Sequence, residues 1–79
     1  TMTETAAYLA KEKIDKTIVL FGAMIPYKFG ASDALFNLGS AIAYVQTLPS
    51  GVYIVMNGKH HKWDEVTKNK KTGFFEEVL

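Results

Sequence analysis

The sequence predicts an α/β fold: a partial parallel sheet with one central βαβ unit and a flanking helix and hairpin, belonging to a larger three-layer α/β domain. Three observations predict it. Thr17–Phe21 and Val52–Met56 are short runs of continuously apolar or β-branched residues, the pattern of strands covered on both faces. Between them Leu35, Leu38, Ile42 and Val45 recur at helical spacing. A chain of 79 residues carrying two such strands has too few helices to cover both faces of a sheet, so more sheet and more helix are expected beside it.

The elements follow in order. Thr1 with Glu4 three residues later fits a capping box, each side chain meeting an orphan backbone donor of the other. Met2, Ala6, Leu9 and Ala10 then share one helical stripe, and a helix is expected over about Thr3 to Lys13. Thr17–Phe21 is the first strand, read as central and buried on both sides. Gly22 to Ser32 holds glycines and a proline and reads as a loop. Ser32 or Asp33 caps the second helix, whose core face is the Leu35, Leu38, Ile42, Val45 stripe widened by Phe36, Ala41 and Ala43. Gly39 inside it costs about 1 kcal/mol against alanine, which close packing on the sheet would explain. Pro49 stops the helix near Leu48. Val52–Met56 is the second strand, Asn57-Gly58 a tight hairpin turn, and His60–Val66 a short return strand. Asn69 to Gly73 reads as a turn, and Phe74-Phe75 as a terminal anchor.

Composition narrows the functions. Nine basic residues against eight acidic ones leave a net charge of +1, which predicts no nucleic-acid partner and no anionic membrane partner. No apolar run is long enough to span a bilayer. With no cysteine there is neither a disulfide framework nor a cysteine-based zinc site. The opening Thr-Met-Thr-Glu lacks the features of a signal peptide and leaves the compartment open, the cytoplasm being the default.

Each chemical candidate has a plain alternative. Adjacent His60 and His61 point to opposite faces of a strand, which suits surface histidines better than metal ligands, so no metal and no cofactor is expected. Gly51 to Lys59 has the wrong spacing for a phosphate loop. Lys59, Lys62, Lys68, Lys70 and Lys71 are balanced by Asp64, Glu65, Glu76 and Glu77 and read as a solvated face. Asp33, Asp64 and Glu65 are acids or bases in principle, but Asp33 reads first as a helix cap. Met24, Met56, Tyr8, Phe21, Phe36 and Tyr44 read as core.

Three segments carry a resemblance. Thr1-Met-Thr-Glu-Thr-Ala6 resembles the tail of the G-T-D-T-M-x-E-T-A motif of bacterial-type L-asparaginases. Gly22-Ala-Met24, then Pro26, Ser32-Asp33 and Phe36-Asn-Leu38, resembles the family's G-A-M-R-P loop running into S-x-D-G-x-x-N-L. Gly51–Asn57, then Val66-Thr-Lys68, resembles the G-V-x-V-x-M-N strand and the later V-x-K. The three keep the family's order and cover nearly the whole chain.

The resemblance implies that residues 1–79 are an internal fragment of the N-terminal α/β domain of such an amidohydrolase. Members hydrolyse the side-chain amide of asparagine, some also of glutamine, to the acid and ammonia. A threonine near the parent N-terminus is the nucleophile, and a threonine–aspartate–lysine cluster lies across the substrate. Lys68 matches that lysine. A lysine beside a carboxylate keeps a threonine hydroxyl poised and stabilises the charges of proton transfer. Ala23 matches the loop residue whose backbone carbonyl holds the substrate amide. The family's catalytic threonine and aspartate immediately precede the residue matching Thr1, so the fragment alone is expected to be inactive. The implied partners are L-asparagine or L-glutamine, and a homodimer or homotetramer of the parent. Ile25 stands where arginine is common, which leaves the choice between the two substrates open. From the residues alone, a self-associating or partner-binding α/β module is the alternative, because an under-covered sheet invites association.

Overall fold

A computed structural model of the chain describes residues 1–25, 28, 30–68, 72 and 75–77, with the backbone alone at 67, 68 and 75–77. The order is α1 (Met2–Lys11), β1 (Thr17–Leu20), α2 (Ala34–Val45), β2 (Gly51–Met56), β3 (Lys59–Lys62), β4 (Val66–Lys68) and β5 (Phe75–Glu77). The expected turn over Asn69–Gly73 lies largely outside the described residues, as does Phe74 of the expected anchor.

One mixed sheet has the order β1-β2-β3, and β4 pairs with β5 in a separate ladder. β1 and β2 are parallel, from Thr17 opposite Gly51 to Leu20 opposite Ile54. β3 returns antiparallel, from Met56 opposite Lys59 to Tyr53 opposite Lys62. Asn57 and Gly58, at φ +58° and +76°, make the turn with both central residues left-handed, which matches the right-handed twist of the strands.

β2 is the centre of this sheet, and its residues from Val52 to Met56 are all buried. Successive side chains face opposite ways. Val52, Ile54 and Met56 meet Ala6 of α1 and Val66 of β4, with Met2, Leu9, Ala10, Ile18 and Leu20 packed around them. The stripe read for α1 is therefore its buried face. Val19 and Phe21 turn to the opposite face, where they meet α2. The two helices thus cover opposite faces, giving three layers.

β1 departs from its expected place. It is an edge strand among the described residues, and all four of its residues are only half-buried. Phe21 lies beyond the strand and is 40% exposed.

α2 departs more. Its buried residues are Asn37 and Ala41, while Leu35, Leu38, Ile42 and Val45, the expected core stripe, are exposed. The helix is apolar over most of its circumference, so periodicity does not choose its rotation. Polar bonds do. Asn37 bonds to the loop after β1 and to the turn after β2, and the Tyr44 hydroxyl donates to the Gly58 carbonyl at 2.9 Å. Leu38, Ile42 and Val45 are left beside Val19 and Phe21 on the β1 side of the helix. Gly39 faces outward, and a Cβ there would meet nothing within 4 Å, so sheet packing does not account for this glycine.

The start of α1 differs from expectation, and at the start of α2 the capping bond comes from Ser32, one of the two residues expected to make it. Thr1 is at the N-cap of α1 without a side-chain capping bond; Thr5 Oγ1 instead donates to the Thr1 carbonyl at 3.0 Å. Asp33 is at the N-cap of α2, again without a capping bond, and the Ala34 N–H is met by Ser32 Oγ at 3.0 Å. α1 ends at Lys11, because Lys13 at φ +48° leaves the helical region. α2 ends at Val45, where Gln46 Nε2 donates to the Ile42 carbonyl at 2.7 Å and satisfies one of the last carbonyls.

Candidate functional site

β1 and β2 run parallel, so their carboxyl ends share one edge of the sheet, the edge at which open α/β sheets bind ligands. A cleft opens there. Its walls are Thr1, Met2 and Thr3 at the start of α1, Gly22, Ala23 and Met24 after β1, and Met56 at the end of β2. At Gly22 the loop passes close to α1: a Cβ there would lie 3.1 Å from Met2 Cε.

The loop beside the cleft is held by side chains from α2 and the residue before it. The Gly22 carbonyl accepts from Asn37 Nδ2 at 2.8 Å. The Met24 N–H donates to both oxygens of the Asp33 carboxylate, at 3.0 and 3.1 Å. The Ile25 N–H donates to Asp33 Oδ1 at 3.0 Å, and Ser32 Oγ donates to the Ile25 carbonyl. Asn37 Nδ2 also donates to Asp33 Oδ2 at 3.1 Å. Its Oδ1 accepts the Asn57 N–H at 3.1 Å. Asn37 has no exposed surface, and no buried side-chain polar atom among the described residues lacks a partner.

Asp33 is therefore a brace for the loop rather than the helix cap expected of it. The Ile25 and Met24 amides, with help from Asn37, hold its carboxyl below the ordinary value of 3.8. The role is hidden in the sequence because its partners lie eight and nine residues back in an irregular segment.

The expected site residues are placed as follows. Ala23 lines the cleft. Lys68 ends β4, two residues past the buried Val66, and its side chain lies outside the described residues. His60 meets Tyr44 in a tilted ring contact, with 4.7 Å between centroids and 56° between planes, while His61 pairs with Ile54 on the other face. Among the described residues no three histidine, cysteine, aspartate or glutamate side chains group to hold a metal. Gly51–Met56 is a strand, so the segment weighed as a phosphate loop is not a loop. No described helix is long and apolar enough to cross a membrane.

Thr1 and Thr3, at the start of α1, are among the residues that line the cleft. The first N–H groups of α1 have no intrahelical acceptor and carry the positive end of the helix dipole. This defines a class: a three-layer α/β unit with a small cleft of mixed polar and apolar lining at the carboxyl ends of its parallel strands. Residues 1–76 match the family model of the asparaginase N-terminal domain, and the chain belongs to the asparaginase family.

Proposed function

We propose that this chain forms part of the active site of an L-asparaginase-type amidohydrolase, which converts asparagine, and in some members glutamine, to the acid and ammonia. Ala23 holds the substrate carboxamide through its backbone carbonyl, and Lys68 is the lysine of the proton relay. What supports this reading is convergence at the cleft. Thr1, Met2 and Thr3 come from the first family-like segment, Gly22, Ala23 and Met24 from the second, and Met56 from the third. Segments separated by up to 55 positions meet at one edge of the sheet.

The nucleophilic threonine and the threonine–aspartate pair have no match among these 79 residues, so the reading assigns the bond-breaking step to residues beyond them. The whole enzyme is a homodimer or homotetramer in this reading. The test is ammonia release from L-asparagine and L-glutamine by the 79-residue chain. None is expected. Robust turnover lost in Lys68→Ala would place the nucleophile within this chain and overturn that division of labour.

A second reading draws on the surface of α2. Leu38, Ile42 and Val45 are exposed beside β1, whose outer edge is unpaired among the described residues, and a strand edge next to an apolar stripe invites association with another copy.

A further inference from the structure

We infer that Asp33 and Asn37 are positioning residues for the Ala23 peptide. The inference rests on the reading of Ala23 as the carboxamide-holding residue and extends it to residues that touch no substrate.

The bonding pattern around Ala23 is selective. On its N-terminal side, the Gly22 carbonyl is taken by Asn37. On its C-terminal side, the Met24 and Ile25 N–H groups are taken by Asp33, and the Ile25 carbonyl by Ser32. Ala23 alone in this stretch bonds to none of these side chains. It is exposed and lines the cleft. The braces thus hold the chain on both sides of one residue and leave that residue's peptide groups free for a ligand.

Asn37 also ties this arrangement to the sheet. Through Gly22 and Asn57 it joins the carboxyl ends of β1 and β2, and Met56, next to Asn57, is the far wall of the cleft. A free loop carbonyl would lose orientational entropy on each binding event. A braced one has lost it during folding, so its hydrogen bond to a carboxamide contributes more to affinity. The bond between Asn37 Nδ2 and Asp33 Oδ2 orients the carboxylate in turn. A single substituted member therefore loosens the loop as a unit.

The test uses the 79-residue chain and two readouts by amide NMR. The first is hydrogen exchange without ligand, in Asp33→Asn, Asp33→Ala and Asn37→Asp. Asp33→Ala is expected to speed exchange of the Met24 and Ile25 amides at least tenfold, while Val52–Met56 exchange as in the wild type. Asp33→Asn keeps an acceptor oxygen in place and is expected to recover part of the protection. A general loss of stability would instead speed the β2 amides in step. Unchanged exchange at Met24 and Ile25 in Asp33→Ala overturns the bracing. Asp33→Ala keeps the proposal testable should Asn37→Asp fail to fold, since its lost bonds lie in an exposed loop.

The second readout is titration with L-asparagine, followed at the Ala23 and Met24 amides. Wild-type shifts that weaken at least tenfold in apparent affinity in Asp33→Ala, and less in Asp33→Asn, are expected. Shifts that persist unweakened although the loop exchanges fast overturn the positioning role. Wild-type chain without asparagine-dependent shifts overturns the carboxamide reading of Ala23, and exchange still decides the bracing separately.

Discussion

Asn37 Oδ1 accepts the Asn57 N–H at 3.1 Å, so a fully buried side chain of α2 holds the turn that follows the central strand. The same amide group donates to the Gly22 carbonyl at 2.8 Å. Asn37→Ala removes both bonds and strands a carbonyl and an N–H, each costing about 1–3 kcal/mol. The expected loss is about 2–6 kcal/mol, comparable with the roughly 3–5 kcal/mol that a core this small supplies. Urea denaturation of the two proteins measures it.

Asp33 makes stability depend on acid. Its folded-state pKa lies below the ordinary 3.8 because the Ile25 and Met24 amides favour the carboxylate. The contribution is complete above the unfolded value and is lost as pH falls through the folded value. As pH falls from about 5 through the acid range, the wild type should therefore lose more stability than Asp33→Asn. Parallel losses, followed by thermal melts across the range, would remove Asp33 from this account.

Gly39 is a solvent-facing helical glycine with open space at its Cβ position. Gly39→Ala should stabilise the chain by about 1 kcal/mol. In a domain this small that raises Tm by about 4–8 °C. A lower Tm would mean that the outward face of α2 is covered.

The apolar stripe predicts association. Ile42→Lys places a charge in the middle of Leu38, Ile42 and Val45 without touching the buried Asn37 and Ala41. Sedimentation velocity should show a concentration-dependent species in the wild type that is reduced in the variant. A wild type that stays monomeric at high concentration removes the reason for the self-association reading.

Much of this architecture is legible in the chain. α1 carries a single apolar stripe, and Met2, Ala6 and Leu9 meet the sheet as that stripe requires. Val52–Met56 is apolar throughout and buried throughout. Asn57-Gly58 takes the left-handed pair that its composition favours. The rotation of α2 is not legible, because a helix apolar on most sides has no unique face. One buried polar residue, Asn37, settles it through partners 15 and 20 positions away. Asp33 misleads for a related reason: aspartate before a helix reads as a cap, and nothing local shows that its acceptors are taken by Met24 and Ile25. Ala23 has no chemical side chain, so only the resemblance singles it out. Its place in the cleft is a property of the fold.

Ammonia release from L-asparagine by a chimera shows whether these residues build an asparaginase active site. Residues 1–76 replace the matching segment of a bacterial-type L-asparaginase, and the folded product is assayed with and without Lys68→Ala. Hydrolysis by the chimera is expected, with near-complete loss in the Lys68→Ala form. A correctly folded chimera that hydrolyses nothing, or one that is indifferent to Lys68, would contradict that expectation.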